Sequence, residues 1–564
     1  MAKKDYKNWD KNDLIKEIEQ LRKRKKYGLV WEDKPENVVE QCKTELPVLE
    51  EVKSKEIITN SDKPMNLLIE GDNYHALSVL NYTHKGKVDV IYIDPPYNTG
   101  ARDWKYNNDY VDENDQWRHS KWISFMNNRL KQCKKLLSRN GVLVCTIDHN
   151  EQENLGILLK EIFPTKDITC VTIVHNPAGI QGQNFSYSHE YAYFVYPKGG
   201  RFIGYQYRDD DKKDVRNFRD VTGDSSLRGA AKNCFYPILI KNGEIVGFGD
   251  VSPSDYHPDM NVNKGNGLIE VYPIDPSGIE RKWRYARHTV EKIQKELGAK
   301  FIKKRGVWDI VRTKNKFNYK TVWNDTRYFA NNYGTQILNR ILPPNIFSYP
   351  KSLYAVIDCI DAAGGNRKNI TVLDFFAGSG TTGHAVLELN KDGGNRKFIL
   401  CTNNEDNNGN GGKIATDICY PRIANVINGY SDQKDQKQIE SLGGNLKYYK
   451  TTFVSADLTD TNKTKLTKKA TEMLCVKEDT FEKVKSNAKY KIFRSKKKYI
   501  GIIYDHLAID DFKKEIAKID GKFSVYIFSL GDDTFDEEFE DVKNKVKLSP
   551  IPEAILRVYR RIFK

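Results

Sequence analysis

The 564-residue chain is predicted to fold around an open α/β sheet. Three observations carry this expectation. Short apolar runs rich in β-branched residues, Val88 to Ile93, Val142 to Ile147 and Ile370 to Leu373, each stop at an aspartate. Between the first two, Trp122, Phe125, Met126 and Leu130 recur at the spacing of a buried helix face. The loops at the strand ends concentrate Asp, Pro and Gly, and open α/β sheets bind their ligands at the carboxyl ends of their strands.

Length and composition bound the reading. A chain this long predicts roughly three domains. A net charge of +15 and a pI near 9.0 favour a polyanionic partner. No apolar run is long enough to span a membrane. The start, Met1-Ala2-Lys3-Lys4, lacks the apolar stretch of a signal peptide, so a cytoplasmic protein is expected. The nine cysteines are scattered singly, and His149, His175 and His189 match no compact ligand set, so reduced thiols and no metal are expected.

Residues 1–60 read as a helical accessory segment. Leu14, Ile18 and Leu21 share one helical face, Lys23-Arg24-Lys25-Lys26 closes it, and Gly28-Leu29-Val30-Trp31 anchors it. Residues 61–197 begin the sheet. Leu67-Leu68-Ile69 leads into the turn Glu70-Gly71-Asp72-Asn73. The strand Val88 to Ile93 then ends in Asp94-Pro95-Pro96-Tyr97, followed by Asn98-Thr99-Gly100. Two prolines remove two amide donors, which leaves the carbonyls of Asp94 and Pro95 open to an outside donor. An exocyclic amine on a nucleobase offers two N–H groups: one suits the Asp94 carboxylate, the other the Pro95 carbonyl, with Tyr97 against the ring. Asn176-Pro177 and the aromatic stretch Phe185 to Tyr196 read as a pocket edge followed by an edge strand.

Residues 198–340 change character, with short segments broken by Gly, Pro and Asn. Basic residues interleave with aromatics in Arg281-Lys282-Trp283-Arg284-Tyr285-Ala286-Arg287, and recur at Lys303-Lys304-Arg305, Arg312, Lys314 and Lys316. Arginine can read guanine edges and lysine neutralises phosphates, so Arg281, Lys282, Arg284 and Arg287 are expected to face DNA.

The sheet resumes over residues 341–440. Phe347-Ser348-Tyr349-Pro350-Lys351-Ser352 precedes a helix through Val356 and Ile360. After Ile370 to Leu373 comes Asp374-Phe375-Phe376-Ala377-Gly378-Ser379-Gly380-Thr381-Thr382-Gly383, a strand, glycine loop and helix start that let a ligand approach the backbone closely. The loop is neither a Walker loop nor the spaced triplet of a dinucleotide fingerprint. Lys397 to Thr402 is a further strand, and Glu405 beyond it is placed to accept from ribose hydroxyls, with Asp406 an equal candidate. Asn403 to Gly411 reads as a polar lip. Residues 441–564, after Leu442-Gly443-Gly444, read as a smaller α+β tail. It has strands at Tyr490 to Phe493, Ile500 to Tyr504 and Phe523 to Phe528, a helix over 512–519, and an acidic stretch, Asp532 to Asp541, unsuited to DNA.

The two loops resemble those of the amino-group DNA methyltransferases that use S-adenosylmethionine, with Asp94 to Tyr97 as catalytic tetrad and Phe376, Gly378 and Gly380 in the cofactor loop. Their order resembles that of the beta class. Leu68 to Asn73, Trp117 with Ser120, Thr146-Ile147-Asp148 and Pro350-Lys351-Ser352 resemble the flanks of type III restriction-modification Mod subunits. The resemblance implies a Rossmann-like methyltransferase fold with circularly permuted motif order, a target-recognition domain inserted at 198–340 and a C-terminal assembly domain. It implies methyl transfer to an amine of a flipped base without a covalent enzyme intermediate, with Asp94 and Pro95 orienting the amine. It places Asp72 and Asn73 at the cofactor's adenine, Phe347 and Ser352 beside its methionine part and Lys351 at its carboxylate. Asp374, Phe376, Gly378, Ser379, Gly380 and Thr381 form the loop, and Glu405 completes the set. Aspartate at 94, where cytosine relatives often carry serine, leans toward adenine N6. Cytosine N4 and an inactive DNA-binding subunit are the alternatives. The implied partners are double-stranded DNA, a second copy of the chain and a restriction nuclease-helicase subunit.

Overall fold

The apolar runs of the sequence become neighbouring strands of one sheet in the computed structural model, which describes residues 9–23, 29, 31–207, 214–405, 412–531, 533 and 535–563. The basic run at 24–26, most of the apolar anchor after it and Asp406 to Gly411 lie outside the described residues. The chain divides into two units, Met1–Gly204 with Lys320–Lys564, and Tyr205–Tyr319.

In the first unit the strands that build the main sheet and the hairpins beside it include β1 (Glu45–Glu51), β2 (Met65–Glu70), β3 (Val88–Ile93), β4 (Ala101–Tyr106), β5 (Asp109–Asp112), β6 (Leu137–Ile147), β7 (Lys166–Val174), β8 (Ile180–Gln181), β9 (Ser186–Tyr187), β10 (His189–Pro197), β11 (Val322–Trp323), β12 (Thr371–Asp374), β13 (Lys397–Thr402) and β14 (Asn445–Ser455). The main sheet has the order β1-β14-β2-β13-β12-β3-β6-β10-β7-β11. From β14 to β6 every pairing is parallel. β10 runs antiparallel between β6 and β7, and β1 antiparallel along β14. Val88, Val90, Ile91 and Ile93 are fully buried, as a central parallel strand requires. Ile91 and Ile93 pack in one cluster with Leu80 of helix α1 (Asn73–Thr83) and with Trp122 and Leu130 of α2 (Arg118–Lys134). Helices α3 (Leu353–Gly364), α4 (Thr381–Leu389) and α5 (Tyr420–Asn428) follow later in the chain.

One pairing builds the site. β3 lies directly beside β12, with Val90 opposite Val372 and Ile91 opposite Leu373. The loops at Asp94 and Asp374 therefore open side by side, although the whole second unit separates them in sequence.

Several domain limits differ from those expected. Segment 1–60 does contain helices, Lys11–Lys23 and Asn37–Thr44, but also β1 of the main sheet. Residue 441 is no domain limit in the fold, because β14 lies between β1 and β2 and satisfies the backbone groups of both. Residues 320–340 stay with the first unit: β11 pairs with β7, and Arg327 and Tyr328 both bind Asp358 of α3.

The tail forms a five-stranded sheet from Glu482–Ser486, Tyr490–Ser495, Lys498–Ile503, Lys522–Phe528 and Val546–Ile551, with the helix Ile509–Ala517. Its Tyr526 joins the hydrophobic cluster that holds Leu77 and Leu80, and the Tyr559 hydroxyl donates to the Pro47 carbonyl of β1 at 2.5 Å. The second unit is built of short antiparallel sheets around Phe218, Tyr236, Trp283 and Ile310. No helix among the described residues is long and apolar enough to cross a membrane.

Candidate active site

At the end of β3, Asp94 is held on one side. Its Oδ1 accepts from the Thr146 hydroxyl at 2.6 Å and lies 3.1 Å from the Lys351 ammonium. Among the described residues Oδ2 has no hydrogen-bond partner, and neither does the Pro95 carbonyl. The Pro96 carbonyl accepts from Trp122 Nε1 at 2.7 Å, which fixes the proline pair against α2.

Tyr97 donates from its hydroxyl to Glu190 Oε2 at 2.9 Å. Lys351 lies 3.1 Å from that same oxygen and 4.5 Å from the centre of the Tyr97 ring. Lys351 was expected at the cofactor carboxylate; it instead joins Asp94, Tyr97 and Glu190, because the buried Glu190 carboxylate and the half-buried Asp94 beside it need a cation between them. Burial lowers the pKa of Lys351, but Asp94 and Glu190 outweigh it and hold the ammonium above its ordinary value. For Glu190, burial raises the pKa while Lys351 and His175 bring it below the ordinary carboxylate value. Both groups are charged. Burial, then Asp94 and Glu190, push the Tyr97 phenol far up, so it remains a donor.

Asp94, Pro95 and Pro96 border a cavity of about 360 Å3. Asp72, Asn73, Phe347, Phe376, Gly378 and Glu405 line the same cavity. So do Trp104, Lys105 and Tyr110 from the β4–β5 hairpin, which sequence reasoning passed over. Lys105 reaches across to Glu405 at 3.7 Å. Tyr349, also on the wall, is 91% exposed with φ of 56°.

The acidic turn is shaped by capping and by one buried cation. Asp72 Oδ1 accepts from the Tyr74 amide at 2.7 Å at the start of α1, and Asn73 Nδ2 donates to the Phe375 carbonyl at 2.9 Å. Arg129, buried in α2, donates to Asn73 Oδ1, pairs with Glu36 at 2.7 Å and approaches Asp72 at 3.4 Å.

In the glycine loop, Gly378 and Gly380 have φ of 48° and 79°. A side chain at 378 would meet Phe347 at 3.4 Å, and one at 380 the Cys419 sulfur at 3.1 Å. Asp374 accepts from the Phe376 amide at 2.9 Å and the Thr382 hydroxyl at 2.6 Å, and burial pushes its pKa up to about 7. Arg422 of α5, fully buried, donates to Ser379 Oγ at 3.0 Å and Thr381 Oγ1 at 2.8 Å.

Asp374, Ser379, Gly380 and Thr381 thus lie behind the cavity wall and shape the loop rather than line it. Ser352 lies apart as well: it caps α3, accepting from the Ala355 amide at 3.5 Å and donating to the Arg327 carbonyl at 2.8 Å. Of the residues missed, Glu190, Arg129 and Arg422 share a legible signal, a single charge within an otherwise apolar strand or helix face.

In the second unit the expected DNA-facing cluster is largely turned to internal use. Arg281 donates to Asp275 at 2.9 Å and to Ser226 at 2.7 Å. Arg287 donates to the carbonyls of Gly249 and Phe248 and pairs with Glu291. Lys282 and Arg284 each lie 3.9 Å from Asp220. Trp283 is core, stacked on Phe218 at 5.4 Å. The physical reason is that a unit rich in loops must satisfy many carbonyls, and arginine brings five donors. Lys303, Lys304 and Arg305 stand exposed on the turn between Leu297–Ile302 and Val307–Lys314, without a carboxylate partner among the described residues.

The DNA methylase family matches residues 88–418, from the first residue of β3 through the glycine loop. The chain belongs to that family. It is similar to the type II methyltransferase M.KpnI of Klebsiella pneumoniae, 31% identical over 67% of this chain and 91% of that protein. It is 30% identical to the EcoPI Mod subunit of Escherichia phage P1 over 60% of this chain and 58% of that one. The StyLTI Mod subunit of Salmonella typhimurium is also 30% identical, over 60% of this chain and 52% of its own length. The chain thus spans nearly all of the first relative but little more than half of the two type III subunits. Among solved structures, PvuII DNA methyltransferase is 10% identical at a TM-score of 0.29, covering 64% of this chain and 93% of that one. S-adenosylmethionine is the methyl donor of the family.

Proposed function

We propose that the chain transfers a methyl group from S-adenosylmethionine to the N6 amine of an adenine in double-stranded DNA, as part of a restriction-modification system. The observation that carries this reading is the asymmetry of Asp94. One oxygen is fixed by Thr146 and Lys351, and the other stands open beside the open Pro95 carbonyl at a cavity shared with the glycine loop.

The residues present fit the cofactor. A cavity of about 360 Å3 falls in the range of small-molecule sites. Phe347 and Phe376 offer apolar faces, Asp72 and Glu405 offer acceptors for amino and hydroxyl groups, and the bare Cα of Gly378 allows close approach. When bound, the cofactor supplies an electrophilic methyl group on its sulfonium.

The chain's own part is positional and electrostatic. Asp94 Oδ2 and the Pro95 oxygen accept the two N–H groups of the target amine and so aim its lone pair. As the nitrogen becomes positive, the Asp94 carboxylate stabilises it. The Lys351 ammonium, 3.1 Å from Asp94 Oδ1, holds that oxygen away from the amine, and the Tyr97 ring meets the face of the base, which must leave the duplex to arrive. The exposed cations at 303–305 suit phosphate contact. Aspartate at 94 and the Mod-subunit relatives favour adenine over cytosine.

The likeness to type III Mod subunits supports, as part of this proposal, assembly with a second copy and with a nuclease-helicase subunit. The 91% coverage of a type II enzyme supports a second reading, a methyltransferase acting without such a subunit. Labelled methyl transfer into bulk DNA, followed by nucleoside analysis, tests the reaction: label in N6-methyladenine supports it, and label in N4-methylcytosine or none overturns it.

A further inference from the structure

The β8–β9 hairpin leaves the main sheet where β7 ends and returns as β10. β7 runs in the direction of β6 and β3, since both β6 and β7 are antiparallel to β10, so the hairpin springs from the same sheet edge as Asp94. It exposes apolar side chains, Phe185 at the turn, 78% exposed, and Ile180 on β8, 62% exposed. From Asn176 to Ser188 there is no charged residue, in a chain of net charge +15.

The hairpin is also braced. The Tyr187 ring stacks on His149 at 3.8 Å and 8°, and His149 follows Asp148 just beyond the end of β6. The Asn176 amide donates to the Ser188 carbonyl at 3.1 Å, and the Gly182 amide to the Phe185 carbonyl at 3.0 Å. Its base adjoins the catalytic cluster: Ser188 is two residues from Glu190, which holds Tyr97 and Lys351. Phe185 is five residues from Glu190, a reach of about 17 Å in extended chain.

We propose that this hairpin is a wedge that inserts Phe185 into the base stack of the DNA duplex at the place the target base vacates. The inference rests on the DNA-methylating reading above. An uncharged, apolar, braced tip is poorly suited to phosphates and well suited to the interior of a base stack, where proteins that kink DNA place Phe and Ile. Two side chains are too little surface for a protein docking site of ordinary size. The wedge fills the gap while Tyr97 receives the base, so both ends of the movement are served from one sheet edge.

The test uses the full chain and a duplex carrying the site that the wild-type chain methylates, located by mapping methylated bases in bulk DNA. A wild-type chain that transfers no methyl group to DNA would overturn the function and the wedge with it. Phe185→Ala and Phe185→Trp are then compared on two duplexes, one with the target base paired and one with an abasic position opposite it. We expect Phe185→Ala to lower kcat/KM about tenfold or more on the paired duplex and to return to within about twofold of wild type on the abasic one, where extrusion is cheap. Phe185→Trp should stay near wild type on both. An equal loss on both duplexes, or no loss on either, overturns the wedge. Cofactor affinity unchanged in Phe185→Ala excludes a collapsed site as the cause.

Discussion

Asp94 and its neighbours concentrate charge where a folded chain can least neglect it. Replacing Asp94 by Ala removes the acceptor proposed for the target amine, and methyl transfer should fall by a factor of about 100 or more. DNA affinity, measured by fluorescence anisotropy, should stay within about twofold, since Asp94 neutralises no phosphate. Lys351 tests the cluster differently. Lys351→Met leaves Asp94 and Glu190 without the cation between them, and breaking a buried pair this way costs about 3–5 kcal/mol. Adding Glu190→Gln removes one of the two stranded charges, so the double variant should be more stable than Lys351→Met alone in urea denaturation. A double variant no more stable than the single one would mean the two carboxylates do not interact. A Lys351 at the cofactor carboxylate would predict loss of cofactor affinity with stability intact.

At the scale of the element, the glycine loop is set by backbone conformation and by what lies behind it. Gly380 combines φ of 79° with a Cβ position 3.1 Å from the Cys419 sulfur. Gly380→Ala should therefore destabilise the fold by about 1–3 kcal/mol and weaken cofactor binding, readable by calorimetry. Asp374 gives the same loop a pH dependence. Its folded pKa of about 7 lies above the unfolded value of 3.8, so folding takes up a proton between them. The penalty is absent below the unfolded value, grows as pH rises through the window and is complete above about 7. Stability of Asp374→Asn relative to wild type should accordingly shift in the variant's favour from pH 4 to 7. A pH-independent difference would show that Asp374 is ionised in the fold throughout. The loop's glycines and Asp374 were legible in the sequence because they adjoin one another. Arg422, which pins Ser379 and Thr381 from α5, was legible only as a lone charge on an apolar helix face, because its hydrogen bonds form only when that helix packs.

Across the whole molecule, charge is unevenly used. A net +15 says little about which cations meet DNA, since Arg281 and Arg287 are satisfied inside their own unit while Lys303, Lys304 and Arg305 have no carboxylate partner among the described residues. Replacing those three by Ser should reduce the slope of log affinity against log salt by about 2–3, at about 0.9 for each phosphate left without its cation. Equivalent replacement of Arg281 and Arg287 should act instead on thermal stability, through the Asp275 carboxylate and the Gly249 and Phe248 carbonyls left without donors. An unchanged salt slope in the triple variant would remove that turn from the DNA surface.

Local sequence was enough to give the α/β class, the strands that end in Asp94 and Asp374, and a glycine loop suited to a cofactor. Such signals are local, carried by strand periodicity and by Pro and Gly acting on their own backbone. That Lys351 serves Asp94 and Glu190, that Ser352 is a helix cap, that the arginine-rich run is mostly internal, and that β1 and β14 complete the sheet emerged with packing alone. Each of those depends on a partner distant in sequence, and a buried charge or an unpaired strand edge takes whichever partner folding brings within reach.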